Sequence, residues 1–217
     1  MNMLHDDQLQ QAVFASLKWE PSVTAAHIGV TASAGVVTLT GHVDNYASKH
    51  AAEMAASRVK GVKAVADEIE IRLPFAVTRA DDQIASAAVE RLAWDVTVPR
   101  DAVHVRVEKG WVTLSGEVDW HYQKENAARN IRTLFGVIGI SNQVELKPRV
   151  NVLDISDDIM DALNRSWFDP KTIHVSANGG TVRLTGTVHS PHDRETAAEA
   201  AWAAPGTISV ENDIAIV

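Results

Sequence analysis

The sequence predicts an α+β protein made of three tandem α-β-β-α-β repeats, each a mixed three-stranded sheet packed on two helices. Three observations predict it. A strand framed by glycines six residues apart occurs three times, as Gly35 to Gly41, Gly110 to Gly116 and Gly180 to Gly186. A further glycine follows twenty residues later in each copy, at Gly61, Gly136 and Gly206, with no insertion or deletion between them. Apolar residues four apart precede each glycine-framed strand, the spacing of one buried helix face. The repeats are expected over residues 4–73, 79–147 and 152–217.

The elements follow in order. The opening helix carries Leu9, Val13 and Leu17, then Ile84, Ala88 and Leu92, then Ile155, Ile159 and Leu163. Acidic residues at its start (Asp6, Asp7; Asp81, Asp82; Asp154) complement the helix dipole. Pro21, Pro99 and Pro170 mark the loop that follows as non-helical. Strand one alternates Ile28 and Val30, Val103 and Val105, Ile173 and Val175. The turns Ala34-Gly35, Lys109-Gly110 and Gly179-Gly180 suit a hairpin that requires positive φ. Strand two alternates Val37 and Leu39, Val112 and Leu114, Val182 and Leu184, and its closing glycine is expected to relax it beside a helix.

A second helix then buries a narrow face of Ala52, Ala55, Ala56 and Val59, of Ala127, Ile131 and Leu134, and of Ala197, Ala201 and Ala204. Its start is clearest in the third copy, where Ser190 can cap and Pro191 fits the first turn. Gly61, Gly136 and Gly206 are expected at its C-terminus, where a left-handed residue is needed. Strand three closes the unit with Val65, Ile69 and Ile71 and their equivalents. A hairpin makes strands one and two antiparallel, and the helical crossover allows strand three to run parallel to strand two. Strand two is then central, with both helices on one face. The linkers contain Pro74 and Pro148 and are short. Modules of this size bury little surface alone, so packing between repeats is expected.

Composition narrows the function. The 217 residues carry a net charge of −8 and no cysteine. Acidity argues against nucleic acid and against simple attraction to anionic lipid. The absence of cysteine excludes disulfides and thiolate chemistry. The chain starts without a basic, apolar leader and is expected in the cytoplasm; trimmed of a leader, it would be periplasmic.

The pattern of an Ile-x-Val strand, Gly-x-Val-x-Leu-x-Gly-x-Val, an alanine-rich helix and Gly-Val-x-x-Val-x-[Asn/Asp]-x-Ile resembles the BON family. It is met by Ile28 to Ile71, Val103 to Leu146 and Ile173 to Ile216. Two departures are Thr207 in place of a valine and Trp111 where the other copies have Val36 and Thr181. The resemblance implies the α-β-β-α-β fold and a non-enzymatic role in osmotic-stress or envelope-associated proteins. It also implies phospholipid as a partner, with potassium binding in some cytoplasmic relatives.

Candidate contacts are weighed against plainer roles. The nine framing glycines resemble no phosphate loop and are expected to be structural. A basic residue recurs eight positions after each strand glycine, at Lys49, Lys124 and Arg194. It reads first as a solvated helix face with local ion pairs, such as Arg194 with Glu195 or Glu199, and second as three equivalent anion contacts. Trp19, Trp94 and Trp167 follow the opening helices and are expected in core or inter-repeat packing, with a membrane interface as the alternative. Trp111 and Trp120 belong to repeat two alone and are candidates for an inter-repeat or partner contact. His104 and His174 are expected to face solvent, and the cluster His189, His192 and Asp193 is not repeated. No catalytic residue, metal site or cofactor is expected. The leading function is phospholipid or envelope association, set against a potassium or small-ligand sensor and a chaperone-like scaffold.

Overall fold

The computed structural model describes residues 3–73, 79–147, 159, 172–178, 180–204 and 206–217. Repeat one comprises α1 (Met3–Trp19), β1 (Ile28–Ser33), β2 (Val36–Val43), α2 (Tyr46–Ser57) and β3 (Ala64–Ile71). Repeat two comprises α3 (Asp81–Trp94), β4 (Val103–Glu108), β5 (Trp111–Val118), α4 (His121–Arg132) and β6 (Gly139–Leu146). Repeat three contains β7 (Ile173–Asn178), β8 (Thr181–Val188), α5 (Pro191–Ala203) and β9 (Ser209–Ile216). Of its opening helix only Ile159 is described, in helical conformation and buried. Asp154, Ile155, Leu163, Trp167, Pro170, Gly179 and the linker prolines Pro74 and Pro148 lie outside the described residues.

Each repeat forms its own three-stranded sheet with the second strand central, antiparallel to the first and parallel to the third. The registers are the same in all three. Ile28 faces Gly41, Val103 faces Gly116, and Ile173 faces Gly186. In repeats one and two both helices lie on one sheet face. Leu9, Val13 and Leu17 of α1 and Ala52, Ala55 and Ala56 of α2 share one core with Val37, Leu39 and Ile69. Alanines let the crossover helix lie close to the sheet while the longer residues of the opening helix fill the rest of the core. Repeats two and three have separate cores built from the equivalent positions.

The opening acidic residues do more than meet a dipole. Asp81 accepts from the N–H groups of Lys109 and Gly110 at 2.7 and 2.8 Å, and Asp6 accepts from Ala34 N–H at 3.0 Å. Each ties its helix to the hairpin turn, where Ala34 and Lys109 both take positive φ.

Two expectations about glycine need correction. The strand glycine is not relaxed against a helix. At Gly41, with φ +113°, a Cβ would lie 2.0 Å from the carbonyl oxygen of His27, which immediately precedes β1. The third glycine does not end the helix. The crossover helices stop at Ser57, Arg132 and Ala203, and Gly61, Gly136 and Gly206 sit beyond them in the turn toward strand three.

Repeat two adjusts its own departure. Trp111 pairs with Gly139 across β5 and β6, where the other copies have Ala64 and Ser209. A Cβ on Gly139 would lie 2.3 Å from the Trp111 ring, so the large residue is accommodated by loss of the small one. The Thr207 hydroxyl donates to the Ala201 carbonyl at 2.8 Å, giving a helix-end acceptor a partner.

Candidate functional site

In repeats one and three the recurring basic side chain joins the crossover helix to strand three. The Lys49 ammonium donates to the Ile69 carbonyl at 2.8 Å and lies 3.5 Å from the Asp67 carboxylate. In repeat three the Arg194 guanidinium donates to the Asn212 carbonyl at 2.7 Å, and the Asn212 amide donates to the Arg194 carbonyl at 2.9 Å. The expected ion pairs of Arg194 with Glu195 or Glu199 are not formed, because the side chain reaches across to β9. In repeat two the Asn142 amide donates to the Lys124 carbonyl at 2.9 Å.

Asp67, Asn142 and Asn212 are equivalent. Each side-chain oxygen also accepts from the N–H two residues on, at Ile69, Val144 and Ile214. An aspartate cannot donate to the helix carbonyl, and in repeat one the lysine supplies the donor instead.

The tryptophans divide into two groups. Trp19 is 84% exposed and Trp94 80% exposed, at equivalent ends of α1 and α3. Expected packing in a core or between repeats is therefore corrected for both. The loops after α1 and α3 are filled instead by Val23 and Val98, both buried. Trp111 is half exposed on its sheet. Trp120 precedes α4, whose first turn is closed by Gln123: its amide oxygen accepts from Trp120 N–H at 3.1 Å. His104 and His174 are exposed.

Trp120 borders a cleft of about 860 Å³ between α4 and α5. One wall carries His121, Tyr122, Glu125 and Arg129; the other carries Glu195, Glu199 and Trp202. The His121 and Trp202 rings stack at 4.3 Å and 6°. Burial, with a smaller push from Lys124, lowers the His121 pKa to about 4, so the imidazole is neutral at pH 7. Burial, then the adjacent Glu199 and, more weakly, Glu125, raise the Glu195 carboxyl, against the opposite pull of His192 and Arg132.

The same first turn of the crossover helix reaches the next repeat elsewhere in the molecule. Tyr46 packs on the core of repeat two and hydrogen-bonds the backbone at Ile140. Pro191 shares a cleft with Ser57 and Met54 of repeat one, and Gly61 N–H donates to the His189 carbonyl at 3.4 Å. Tyr46, His121 and Pro191 are equivalent positions, so contacts run from repeat one to two, two to three, and three back to one. A polar centre lies among the helices, lined by His50, Arg58, Glu125, Arg129, Arg132 and Glu195 among others. Burial lowers His50 to about 4, aided by Arg132, and burial, then Asp67 and Glu195, raise Glu53.

Sequence reasoning singled out neither Trp202 nor Tyr46. The available signal was a break in the repeat. Trp202 stands where the other copies have Ser57 and Arg132, and Tyr46 where they have His121 and Pro191.

The architecture is that of a tandem array of small α/β modules, each with an independent core. A model of the BON domain matches residues 5–72, 80–148 and 151–217, and the chain belongs to the BON family. It is 29% identical over 150 residues to osmotically-inducible protein Y of Escherichia coli (strain K12), covering 67% of this chain and 75% of that protein. Among solved structures it is similar to the C-terminal domain of CdsD, described as the structural protein of the type III secretion system of Chlamydia trachomatis. That alignment has 18% identity and a TM-score of 0.27, covering 96% of this chain and 97% of the other. A second structure of CdsD aligns at 18% identity and a TM-score of 0.26, over 100% of this chain and 93% of that one.

Proposed function

We propose that this chain is a non-enzymatic binding protein of the osmotic-stress response that associates with phospholipid surfaces through its BON repeats. The observation that carries the reading is the pair of exposed indoles, Trp19 and Trp94, at the same place in two repeats. An indole held in water at matching positions is an unfavourable arrangement unless something apolar covers it, and the membrane interface suits a ring with a polar N–H. Val96, beside Trp94, is also fully exposed. Similarity to an osmotically inducible protein supplies the stress context. Among the described residues no helix is long and apolar enough to cross a membrane.

The charge of −8 sets the lipid preference. Insertion of indoles into a zwitterionic surface should survive salt, whereas anionic lipid should add nothing. The test is co-sedimentation of the full chain with phosphatidylcholine vesicles and with phosphatidylglycerol-containing vesicles. The expected result is pelleting with the zwitterionic vesicles, reduced several-fold in the Trp19→Ala, Trp94→Ala double variant. Protein that stays in the supernatant with both vesicle types overturns the reading.

A further inference from the structure

We propose that the cleft between α4 and α5 binds an alkylated ammonium group, carried either by a small soluble cation or by a lipid headgroup. The proposal is independent of the indoles on which membrane association rests.

The cleft combines two features that such a group requires. The first is aromatic surface. Tyr122, half exposed, stands on α4 with Trp120 just before it, and Trp202 faces them from α5. Stacking on His121 fixes the Trp202 ring. Because the imidazole is neutral at pH 7, it does not place a competing cation there. The electron-rich faces of such rings attract a methylated ammonium, which is too weakly hydrated to prefer water strongly.

The second feature is a set of carboxylates on both walls. Three carboxylates, Glu125, Glu195 and Glu199, line the cleft with Arg129, and the same three also border the polar centre that holds Arg58 and Arg132. Among the described residues neither Glu195 nor Glu199 forms an ion pair, and Glu125 lies 3.9 Å from the neutral His121. A cation between the walls would relieve the mutual repulsion of these groups. An alkali ion is the poorer fit, since it needs several oxygens converging at short range and gains less from rings that stand between them. The volume of about 860 Å³ falls within the range of roughly 300–1,000 Å³ found for small-molecule sites.

The site is also particular to one junction. The equivalents of Tyr122 are Ala47 and His192, and those of Trp202 are Ser57 and Arg132. Neither of the other repeat boundaries can assemble the same set of rings.

The test uses the full chain. Choline chloride and tetramethylammonium chloride are titrated against potassium and sodium chloride at equal ionic strength, read by calorimetry and tryptophan fluorescence. Both organic cations should give saturable binding that the alkali salts do not. Trp202→Ala should weaken it at least ~tenfold, with Trp202→Phe retaining most of it. The Glu195→Gln, Glu199→Gln double variant, which leaves the rings in place, should weaken it as well.

No saturable signal, an equal response to potassium, or binding unchanged in both the Trp202→Ala and the carboxamide variants overturns the proposal. Phosphatidylcholine vesicles distinguish the sources. Pelleting lost in Trp202→Ala assigns a lipid headgroup, and choline binding without such pelleting assigns a soluble ligand. Failure to pellet at all, with choline binding intact, counts against membrane association alone.

Discussion

At Gly116 the backbone takes φ +123°, and a Cβ would lie 2.1 Å from the Ala102 carbonyl oxygen. Both the dihedral and the contact oppose any side chain, and the obstacle is backbone, which cannot swing away. Gly116→Ala should therefore cost about 3 kcal/mol, read as a lower denaturant midpoint for repeat two. Asp81 is a milder case. Its carboxylate accepts two turn N–H groups, and Asp81→Ala should cost about 1–2 kcal/mol, a loss that Asp81→Asn restores only in part because one carboxylate oxygen becomes a donor. The glycines were legible at this scale because six-residue spacing survives in every copy. Their reasons were not: the carbonyl that presses on Gly41 belongs to His27, and no local pattern marks that approach.

The elements were read from periodicity, and periodicity reports which face is buried. It located the opening helices of repeats one and two, both hairpin strands and the alanine face of the crossover helix. It could not say where Lys49, Lys124 and Arg194 reach, since recurrence is shared by a solvated face, an anion site and a structural tie. In repeats one and three the side chain reaches strand three, Lys49 to Ile69 and Asp67 and Arg194 to Asn212, while in repeat two the tie runs from the Asn142 amide to the Lys124 backbone carbonyl. Asn212→Ala removes the amide that holds Arg194 and the acceptor for Ile214 N–H, and should cost about 1–2 kcal/mol. Asp67→Asn should be nearly neutral, since it recreates the donor that the other two repeats use. Chemical denaturation of the paired variants checks both. The tryptophans after α1 and α3 were misjudged for a related reason. An aromatic residue at a helix end signals apolar demand without saying whether the protein itself meets it, and here Val23 and Val98 already fill that space.

Across the whole molecule, the contacts between repeats are made by residues that differ between the copies, so the repeat that revealed the fold concealed its assembly. Tyr46, His121 and Pro191 occupy one position and meet three different surroundings. The half-buried imidazoles at these junctions make assembly sensitive to acid. His50 and His121 have folded pKa values of about 4 against an ordinary value of 6.5. The unfolded chain therefore takes up protons first, and their stabilising contribution, complete above pH 6.5, is lost as pH falls toward 4. Glu53 and Glu195 act in the opposite sense, because their folded pKa values are raised and protonation favours the folded form as pH falls. Stability followed from pH 7 to pH 4 should decline less steeply in His50→Gln, His121→Gln than in the parent, and more steeply in Glu53→Gln, Glu195→Gln. Parallel curves in all three proteins would contradict these assignments.

The central claim is that three independently cored modules are held together through their crossover helices, and the stack of His121 on Trp202 reports on it directly. An NMR measurement of the His121 ring protons at pH 7 should find them shifted upfield by the indole and returned to ordinary values in Trp202→Ala. His121 resonances at their ordinary position in the parent, unmoved by that substitution, would show that repeats two and three do not meet as described.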